Sequence, residues 1–352
     1  MQRPHLVLVG GFLGAGKTTL ILRASALLRR RNLRVGVILN DQDGGLVDTG
    51  AARAEGLEAR EVAGGCFCCR FSDLMAAAGE LAAYDPDVIF AEPVGSCMDL
   101  SATILQPLKV LHGARYRLSP LTVLLDPVAA QRWAGGHMDA DVRYLFQNQL
   151  AEADLVCLTK QDLFPDPCPL PIPVDFRLCA AIGEGVAEWL REVLEGRRAA
   201  GARILDIDYD RYAEAEAALG WLNLQAEVEL HEARSPAALA GPLLDELEER
   251  LTRAQIQIAH LKIFDRTASG WLKVGICTNG ALPVPTGDLL ADPERFHELA
   301  VNLRALAAPE HLEEVARRAL KEIPGTVRLR YARAFRPTPP KPEYRFGNIA
   351  GH

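Results

Sequence analysis

The sequence predicts an α/β protein: a larger N-terminal domain with a mostly parallel sheet, and a smaller C-terminal α+β domain. Short, continuously apolar runs alternate with amphipathic stretches over the first two hundred residues, which is typical of parallel strands covered by helices on both faces. A glycine-rich loop of the phosphate-binding type follows the first of these runs. Near residue 206 the pattern changes to the order βαββαβ, which is that of a ferredoxin-like unit.

Composition limits the classes of function that are open. A chain of 352 residues is long for one domain. Its net charge of -7 argues against nucleic-acid binding, which needs a basic face. No apolar run approaches a membrane span, and the first strand begins at His5, which leaves no room for a signal peptide. We therefore expect a cytoplasmic protein whose eight cysteines serve metal or redox chemistry rather than disulfides.

Residues 1–202 are predicted to form a P-loop NTPase domain, and residues 203–220 a linker. The strands expected in this domain are continuous or nearly continuous apolar runs, apart from the strand-like segment before the cysteines, and the helices between them are amphipathic. The predicted strands are Leu6–Val9, Val35–Leu39, Leu57–Ala63, Val88–Phe90, Leu121–Leu125, Leu155–Leu158 and Val174–Leu178; the predicted helices are Lys17–Arg31, Ser72–Ala83, Val142–Ala151 and Gly185–Leu194.

Residues 221–336 are predicted to form the second domain, and residues 337–352 a proline-rich tail that is poorly ordered or docked. The pattern predicts strands at Leu222–Leu230, Ile258–Phe264, Trp271–Cys277 and Thr326–Ala334, and helices at Pro236–Arg253, with Ser235 as N-cap, and at Pro293–Ile323, broken near Pro309.

The phosphate-binding signature G-x-x-x-x-G-K-[ST] is complete and lies between a predicted strand and a predicted helix. Backbone N–H groups of such a loop surround phosphates, and the helix N-terminus adds partial positive charge. The lysine is expected to reach the β- and γ-phosphates, and the first threonine to bind Mg²⁺. The predicted nucleotide-binding residues of this loop are Gly11, Gly14, Ala15, Gly16, Lys17, Thr18 and Thr19.

A second acid is expected to complete the Mg²⁺ shell from the end of a neighbouring strand. Glu92 ends the run Val88–Phe90 plus Ala91, and Gly95 follows three residues later. A backbone N–H at Gly95 would sense the γ-phosphate. The alternative is a solvated acid at a strand end.

The segment after the strand Leu155–Leu158 carries a signal for the base. Thr159-Lys160-Gln161-Asp162 places a carboxylate where it can accept both guanine donors, N1–H and the exocyclic amine, a pair that adenine lacks. Thr159 belongs to the same motif, and the Lys160 stem would pack on the ring. A backbone N–H near Ala180, in the loop after the last strand, would bind the guanine carbonyl oxygen. GTP is therefore favoured over ATP.

Three cysteines lie within four positions: Cys66, Cys68 and Cys69. Thiolates bind Zn²⁺ or Cu⁺, and tetrahedral Zn²⁺ takes four ligands. With three candidates, one position stays open or is filled from elsewhere, and an open position suits transfer of the metal. The alternative is a set of free, partly buried cysteines. The remaining cysteines are isolated and are interpreted mostly as core or loop residues: Cys97, Cys157, Cys168, Cys179 and Cys277.

The loops at the carboxyl ends of parallel strands share one edge of a sheet, where ligands bind. The phosphate-binding loop, the segment after Asn40, the cysteine loop and the Glu92 loop are all expected on that edge. A metal at the cysteines could then sense the nucleotide, and the two affinities would be reciprocally linked.

Several motifs occur together in one order along the chain. They are Gly11–Thr19, Gly65-Cys66-Phe67-Cys68-Cys69, Glu92-x-x-Gly95, Gln149 with Ala153-Asp154, and Thr159-Lys160-Gln161-Asp162. With them the chain resembles the CobW-type P-loop GTPases, metallochaperones related to the urease- and hydrogenase-maturation GTPases. The resemblance implies slow, Mg²⁺-dependent GTP hydrolysis coupled to metal delivery. Zn²⁺ is the first expectation, with cobalt or iron as alternatives; the partner would be a client metalloenzyme or a cofactor-assembly protein, and a nucleotide-dependent homodimer is possible.

The chain departs from the pattern of that family in two places. The family usually has Asn-Glu-Phe-Gly-Glu after the second strand, where this chain has Asn40-Asp41-Gln42-Asp43-Gly44. Asp41, Asp43 or Asp48 could replace the missing acid. Catalysis is assigned to Lys17, with Asp41 and Glu92 as candidates for positioning water. A histidine-rich stretch is missing, which argues against metal storage.

Two other functions are compatible with these motifs. One is a P-loop kinase whose small-molecule substrate binds the second domain. The other is a nucleotide-gated interaction protein in which the cysteines hold a structural metal.

Overall fold

The computed structural model describes residues 3–43, 47–164, 170, 172–195 and 197–350. Gly44 and Cys168, which enter the predictions above, lie outside the described residues. The chain divides into two compact units. The N-terminal unit comprises the described parts of Met1–Gln42, Glu55–Glu216 and Pro339–His352, and the C-terminal unit comprises those of Asp43–Ala54 and Ala217–Thr338.

The strands are short in the N-terminal unit and longer in the C-terminal unit. They are β1 His5–Gly11, β2 Val35–Asn40, β3 Glu58–Val62, β4 Val88–Glu92, β5 Arg117–Leu118, β6 Thr122–Leu125, β7 Leu155–Leu158, β8 Phe176–Arg177, β9 Gly220–Arg234, β10 Ile258–Arg266, β11 Trp271–Ile276, β12 Thr286–Gly287, β13 Glu294–Ala305 and β14 Gly325–Phe335.

The helices are α1 Lys17–Arg29, α2 Val47–Ala54, α3 Phe71–Leu81, α4 Gln106–His112, α5 Pro127–Ala134, α6 Ala140–Glu152, α7 Val186–Glu195, α8 Tyr209–Ala217, α9 Pro236–Arg253 and α10 Pro309–Leu320, with a 3-10 turn at Ala82–Tyr84 and a π-helical turn at Ser101–Leu105.

The described strands of the N-terminal unit form one parallel sheet with the order β3-β2-β4-β1-β6-β7-β8, and β5 also pairs with β1. The predicted α/β class is confirmed. Every residue of β4 is buried, which is why its sequence is continuously apolar up to Glu92. Trp189 of α7 stacks on Phe90 with ring centroids 6.3 Å apart, and its indole N–H donates to Thr122 Oγ1 at 3.0 Å.

The C-terminal unit has an antiparallel sheet with the order β12-β11-β10-β13-β9-β14. Helices α9 and α10 contribute to its core through Leu244 and Leu312, both fully buried. Ser235 caps α9 as predicted, since its hydroxyl accepts from the N–H of Ala238.

One helix prediction was wrong over half its length. Residues 294–305, predicted as the first part of the helix Pro293–Ile323, form the strand β13, and only Pro309–Leu320 is helical. Leu299, Val301 and Leu303 are buried in the core, which is the period-two pattern of a strand. With the two-residue strand β12, the described part of the unit therefore contains two strands more than the predicted βαββαβ order.

The predicted linker 203–220 contains a helix. In α8 the side chains of Tyr212 and Glu216 are buried, and the Tyr212 hydroxyl accepts a hydrogen bond from the backbone N–H of Met98 at 3.1 Å. These contacts make the helix part of the N-terminal unit, so a polar sequence here does not mean a free connection.

Candidate nucleotide and metal site

The phosphate-binding loop joins β1 to α1. Gly11 has φ 126°, and a Cβ there would lie 2.5 Å from the carbonyl oxygen of Leu124, so only glycine fits. Gly14 and Gly16 also have positive φ, 76° and 92°, and Gly16 directly precedes the first residue of α1. The loop therefore adopts a backbone that glycine favours and ends at a helix N-terminus suited to anions.

The functional side chains of this loop lie close to its backbone. Lys17 Nζ donates to the carbonyl oxygens of Gly11 at 2.9 Å and Phe12 at 3.3 Å. Thr18 is buried and Thr19 half-buried in the first turn of α1. The ammonium and the start of the helix thus concentrate positive charge at the end of β1.

Glu92 contacts the loop directly. The Thr18 hydroxyl donates to its carboxylate, with Oγ1 to Oε2 at 2.9 Å and Oγ1 to Oε1 at 3.2 Å. Both side chains are buried, so the alternative of a solvated acid is wrong. Hard oxygen ligands of this kind suit Mg²⁺. Gly95 packs against the loop, since a Cβ there would lie 2.7 Å from Leu13 Cδ2.

The segment after β7 is tied to the phosphate-binding loop. The Thr159 hydroxyl lies 3.0 Å from the carbonyl oxygen of Ala15 and 3.2 Å from that of Leu125. Lys160 has φ 55°, an unusual conformation outside glycine, and its ammonium pairs with Asp126 at 2.7 Å. The T-K-x-D segment is therefore held next to the phosphate-binding loop.

The two loops predicted to bind guanine lie together. The exposed Asp162 carboxylate is hydrogen-bonded to the thiol of Cys179. The loop after Cys179 is a tight turn in which the Gly183 N–H donates to the Cys179 carbonyl oxygen at 2.7 Å. Arg23 of α1 donates to the carbonyl oxygens of Ala180, at 3.1 Å, and Ala181. Sequence analysis missed Arg23, because an arginine on a helix carries no signal for a partner more than a hundred residues away.

The three clustered cysteines follow β3 and bring their sulfurs together. Cys66 Sγ lies 2.7 Å from Cys68 Sγ and 3.3 Å from Cys69 Sγ, and the third separation is 3.7 Å. Cys66 and Cys68 are buried, and Cys69 is half-buried. The backbone N–H groups of Cys69 and Arg70 both donate to the Cys66 carbonyl oxygen at 3.0 Å, so a tight turn positions all three thiols.

The three sulfurs lie close enough together to share one metal ion, since all are within 4.8 Å of one another. Sulfurs bound to one tetrahedral Zn²⁺ at about 2.3 Å are about 3.8 Å apart, so the two shorter separations would widen on metal binding. Hydrogen bonds from Cys68 and Cys69 lower the pKa of Cys66 well below its usual value. The hydrogen bond between the thiols of Cys69 and Cys66 is the main cause of a Cys69 pKa raised to about 12. One thiolate is therefore favoured, and metal binding would displace the remaining protons.

Asn40, at the end of β2, holds the cysteine loop in place. Its Nδ2 donates to the carbonyl oxygens of Val62 and Gly65, each at 2.8 Å, and its Oδ1 accepts from the N–H of Phe67 at 2.8 Å. This buried amide was not predicted as a site residue. An asparagine directly after a buried strand and next to a glycine-rich loop was the available signal.

The three aspartates considered as substitutes for the missing acid have different positions. Asp41 is buried in the N-terminal unit, and its N–H donates to Val62 at 3.1 Å. Asp43 and Asp48 belong to the C-terminal unit and are engaged there. Asp43 pairs with Arg333 at 3.1 Å and also accepts from Tyr331.

Asp48 is held by two lysines, Lys262 at 2.6 Å and Lys273 at 3.4 Å. Burial raises the pKa of Asp48, but the two ammonium groups outweigh it and keep that pKa well below the usual value. Of the three substitutes, only Asp41 belongs to the unit that carries the site.

A family model described as the CobW/HypB/UreG nucleotide-binding domain matches residues 5–169. Over residues 5–169 the chain is similar to that family. The match covers the phosphate-binding loop, the cysteine cluster, Glu92 and the T-K-x-D segment, so the predicted resemblance is confirmed.

Among curated proteins the chain is similar to a zinc chaperone CobW of Sinorhizobium sp, with 31% identity over 185 residues that cover 44% of this chain. The chain spans about half the length of that relative, 50%.

Solved structures with similarity include Zn(II)-bound YjiA GTPase from E. coli, with 15% identity, coverage of 92% of this chain and 99% of that chain, and a TM-score of 0.34. HypB from Helicobacter pylori in complex with nickel has 15% identity, coverage of 55% and 86%, and a TM-score of 0.39. Within the part of the chain that the structure describes, every helix is too short or too polar to span a bilayer.

The proline-rich tail docks on the N-terminal unit beside the cysteine cluster. The backbone N–H of Lys341 donates to Cys69 Sγ at 3.1 Å, and that of Glu343 donates to the Cys68 carbonyl oxygen at 2.9 Å. Tyr344 packs on Phe71 with ring centroids 5.3 Å apart. Of the two predicted alternatives, poorly ordered or docked, the second holds.

A hydrogen-bonded carboxylate and an ion pair extend the docked segment. The Glu343 carboxylate accepts from the hydroxyl of Ser72 at 2.6 Å and from its N–H at 3.1 Å. Arg345 pairs with the buried Asp99 at 2.8 Å. The first contact caps the start of α3, which directly follows the cysteine loop, so the tail covers one side of the cluster.

Removing the tail is expected to expose Cys69. In a chain lacking residues 339–352, Cys69 should react severalfold faster with iodoacetamide, because it loses the Lys341 N–H and the covering segment. Mass spectrometry of the modified peptide measures the rate. Glu343→Ala in the full chain should give a smaller increase in the same direction, and Cys277 serves as the internal reference. Equal rates at Cys69 in all three proteins would mean that the tail does not protect it.

Proposed function

We propose that this protein binds GTP with Mg²⁺, hydrolyses it slowly, and uses the nucleotide state to control the binding and delivery of a transition metal held by Cys66, Cys68 and Cys69. Zn²⁺ is the proposed metal. The recipient would be a client metalloenzyme or a cofactor-assembly protein, and a nucleotide-dependent homodimer is a compatible form of the active species.

The observation that carries this proposal is the order of functional groups along one edge of the parallel sheet. Asn40 pairs in register with Val62, Leu39 with Glu92, and Leu8 with Ala91. Adjacent strands are about 4.8 Å apart. The cysteine loop after β3, Asn40 at the end of β2, Glu92 at the end of β4 and the phosphate-binding loop after β1 therefore follow one another at strand spacing. A shift at one loop would thus be transmitted to the next.

The residues of the nucleotide site support a simple division of roles. Lys17 and the N-terminus of α1 would neutralise phosphate charge, and Thr18 with Glu92 would hold Mg²⁺, which supplies further charge neutralisation when bound. Asp41 or Glu92 would position the attacking water. Asp162, with the Lys160 stem and the backbone at Ala180, would select guanine.

Coupling to the metal would run through two short connections. Asn40 links the end of β2 to the cysteine loop by three hydrogen bonds of 2.8 Å, and Gly95, three residues after Glu92, lies against Leu13 of the phosphate-binding loop. If the nucleotide changes metal affinity, the metal must change nucleotide affinity by the same factor.

The test is a metal titration in defined nucleotide states. Metal-depleted full-length protein is titrated with Zn²⁺ against a chromophoric chelator, with Mg²⁺ and either a non-hydrolysable GTP analogue, GDP or no nucleotide. We expect the Zn²⁺ dissociation constants with analogue and with GDP to differ by roughly 5- to 150-fold, the usual range of coupling between two sites.

Lys17→Ala is the matched control, because it should remove the nucleotide dependence and leave Zn²⁺ binding itself intact. Equal Zn²⁺ affinity in all three nucleotide states of the unmodified protein would contradict the proposed coupling. Unfolding of the protein when a chelator removes Zn²⁺ would instead favour a structural metal.

A further inference from the structure

A fourth thiol lies against the cysteine cluster. Cys97, which is 28 residues beyond Cys69 and was predicted to be isolated, interacts with the Cys66 thiol and helps to lower its pKa. Its side chain is 1% exposed, as buried as Cys66 and Cys68. It stands outside the group of three whose sulfurs are all within 4.8 Å of one another. Cys97 therefore lies on one side of the cluster, next to Cys66.

The loop that carries Cys97 is held at successive residues. Gln149 Nε2 of α6 donates to the carbonyl oxygens of Gly95 at 3.0 Å and of Cys97 at 2.8 Å. The Ser96 hydroxyl donates to the Glu216 carboxylate at 2.5 Å, and the Met98 N–H donates to the Tyr212 hydroxyl. Such a loop presents its thiol at a defined place, which a ligand requires.

A buried carboxylate beside these thiols points independently to a cation. Glu216 is 1% exposed, and while one oxygen accepts from Ser96, Oε2 has no hydrogen-bond partner among the described residues. A buried carboxylate oxygen without a partner is costly, and a metal ion at the cluster would offset that cost.

We propose that Cys97 is a fourth sulfur ligand of the metal bound by Cys66, Cys68 and Cys69, so that the site closes to four sulfurs in at least one nucleotide state. The inference rests on the proposed function and adds to it the ligand that was missing. Four sulfurs around one Zn²⁺ must be about 3.8 Å apart. The 2.7 Å and 3.3 Å separations therefore widen, and the Cys97 sulfur moves in beside Cys66.

This ligand would couple the metal to the nucleotide by a short route along the chain. Cys97 is five residues from Glu92, which bonds Thr18 of the phosphate-binding loop, and two from Gly95, which packs on Leu13. Movement of this loop on nucleotide exchange would add or withdraw one sulfur. A four-sulfur site holds the metal, and a three-sulfur site leaves a position open for a recipient thiol.

The test counts sulfurs and measures affinity in Cys97→Ser and Cys97→Ala. X-ray absorption of the Zn²⁺-loaded protein should show four sulfurs at about 2.3 Å in the unmodified chain, in the GTP-analogue or the GDP state. Either variant should show three sulfurs plus a lighter ligand near about 2.0–2.1 Å. Zn²⁺ affinity should fall by at least about tenfold, the lower limit for losing even an outer contact of a metal site.

Cys157→Ser is the matched control, since Cys157 is an equally buried cysteine on β7 outside the cluster. GTP affinity and circular dichroism verify that each variant is folded, and the alanine variant replaces the serine variant if the hydroxyl destabilises the loop. An unchanged sulfur count and unchanged Zn²⁺ affinity in a folded Cys97 variant would overturn the inference while leaving the proposed function standing. An unmodified protein that binds no Zn²⁺ would overturn both.

The nucleotide dependence gives a second readout. In Cys97→Ser the ratio of Zn²⁺ dissociation constants between the GTP-analogue and GDP states should move towards one, whereas Cys157→Ser should keep the ratio of the unmodified protein. A Cys97→Ser protein that keeps the full ratio would exclude Cys97 as the coupling ligand.

Discussion

Replacing Cys66, Cys68 and Cys69 together by serine is expected to abolish tight Zn²⁺ binding. Thiolate sites for Zn²⁺ contribute on the order of 10 kcal/mol of binding free energy, and serine hydroxyls are poor replacements for thiolates. The one thiol left beside the cluster, Cys97, cannot hold the metal alone. Competition with a chromophoric chelator should therefore show no binding at micromolar Zn²⁺.

The double variant Cys157→Ser/Cys277→Ser is the control for this experiment. It removes one buried and one half-buried thiol outside the cluster and should keep the Zn²⁺ affinity of the unmodified protein. The triple variant should also keep its GTP affinity and its melting temperature in metal-free buffer, because the turn at Cys66 is held by backbone bonds and by Asn40. Wild-type Zn²⁺ affinity in the triple variant would refute the metal assignment, and its unfolding would indicate a structural role.

The sequence predicted the parallel sheet well because its strands are buried on both faces. Every residue of β2, β4, β6 and β7 is buried, so apolar runs mark them without any alternation. The phosphate-binding loop was equally easy to predict from the sequence. Its glycines adopt positive φ angles, as at Gly11 and Gly16. These signals depend only on neighbours in the chain.

The strand β13 shows where local patterns mislead. Its residues Leu299, Ala300, Val301 and Leu303 include several good helix formers, and the following segment is a true helix. Pairing with β9 and β10 on both sides decides the structure, because a central strand gains two ladders of hydrogen bonds. Propensity is a weak prior against such tertiary context.

Three of the residues that sequence analysis missed at the site act across longer separations than Asn40. Arg23 reaches Ala180, Glu216 accepts from Ser96, and Cys97 interacts with Cys66. No spacing rule connects such pairs, because the strand order of the sheet brings them together. The sulfur count of the cluster is the clearest case: three ligands follow from a local motif, and the candidate for the fourth follows only from the fold.

Replacing Asp162 by alanine is expected to remove the preference for GTP over ATP. The carboxylate would accept two hydrogen bonds from guanine, each worth about 1.5–3 kcal/mol for a charged acceptor, so the ratio of GTP to ATP affinity should fall roughly 100-fold or more. Isothermal titration with non-hydrolysable analogues of both nucleotides measures this ratio. Asp206→Ala, which removes an exposed acid of the same unit, should leave it unchanged.

The variant Asp162→Asn makes the assignment sharper. An asparagine amide offers one acceptor and one donor, and xanthine presents N1–H with a carbonyl oxygen in place of the guanine amine, so this variant should lose GTP and gain xanthosine triphosphate. Asp162 directly follows Gln161, is exposed and lies beside the Cys179 thiol. Its carboxylate is therefore accessible to a base. A variant that keeps its GTP preference and ignores xanthosine triphosphate would show that the base is read elsewhere, with the Ala180 turn held by Arg23 as the next element to test.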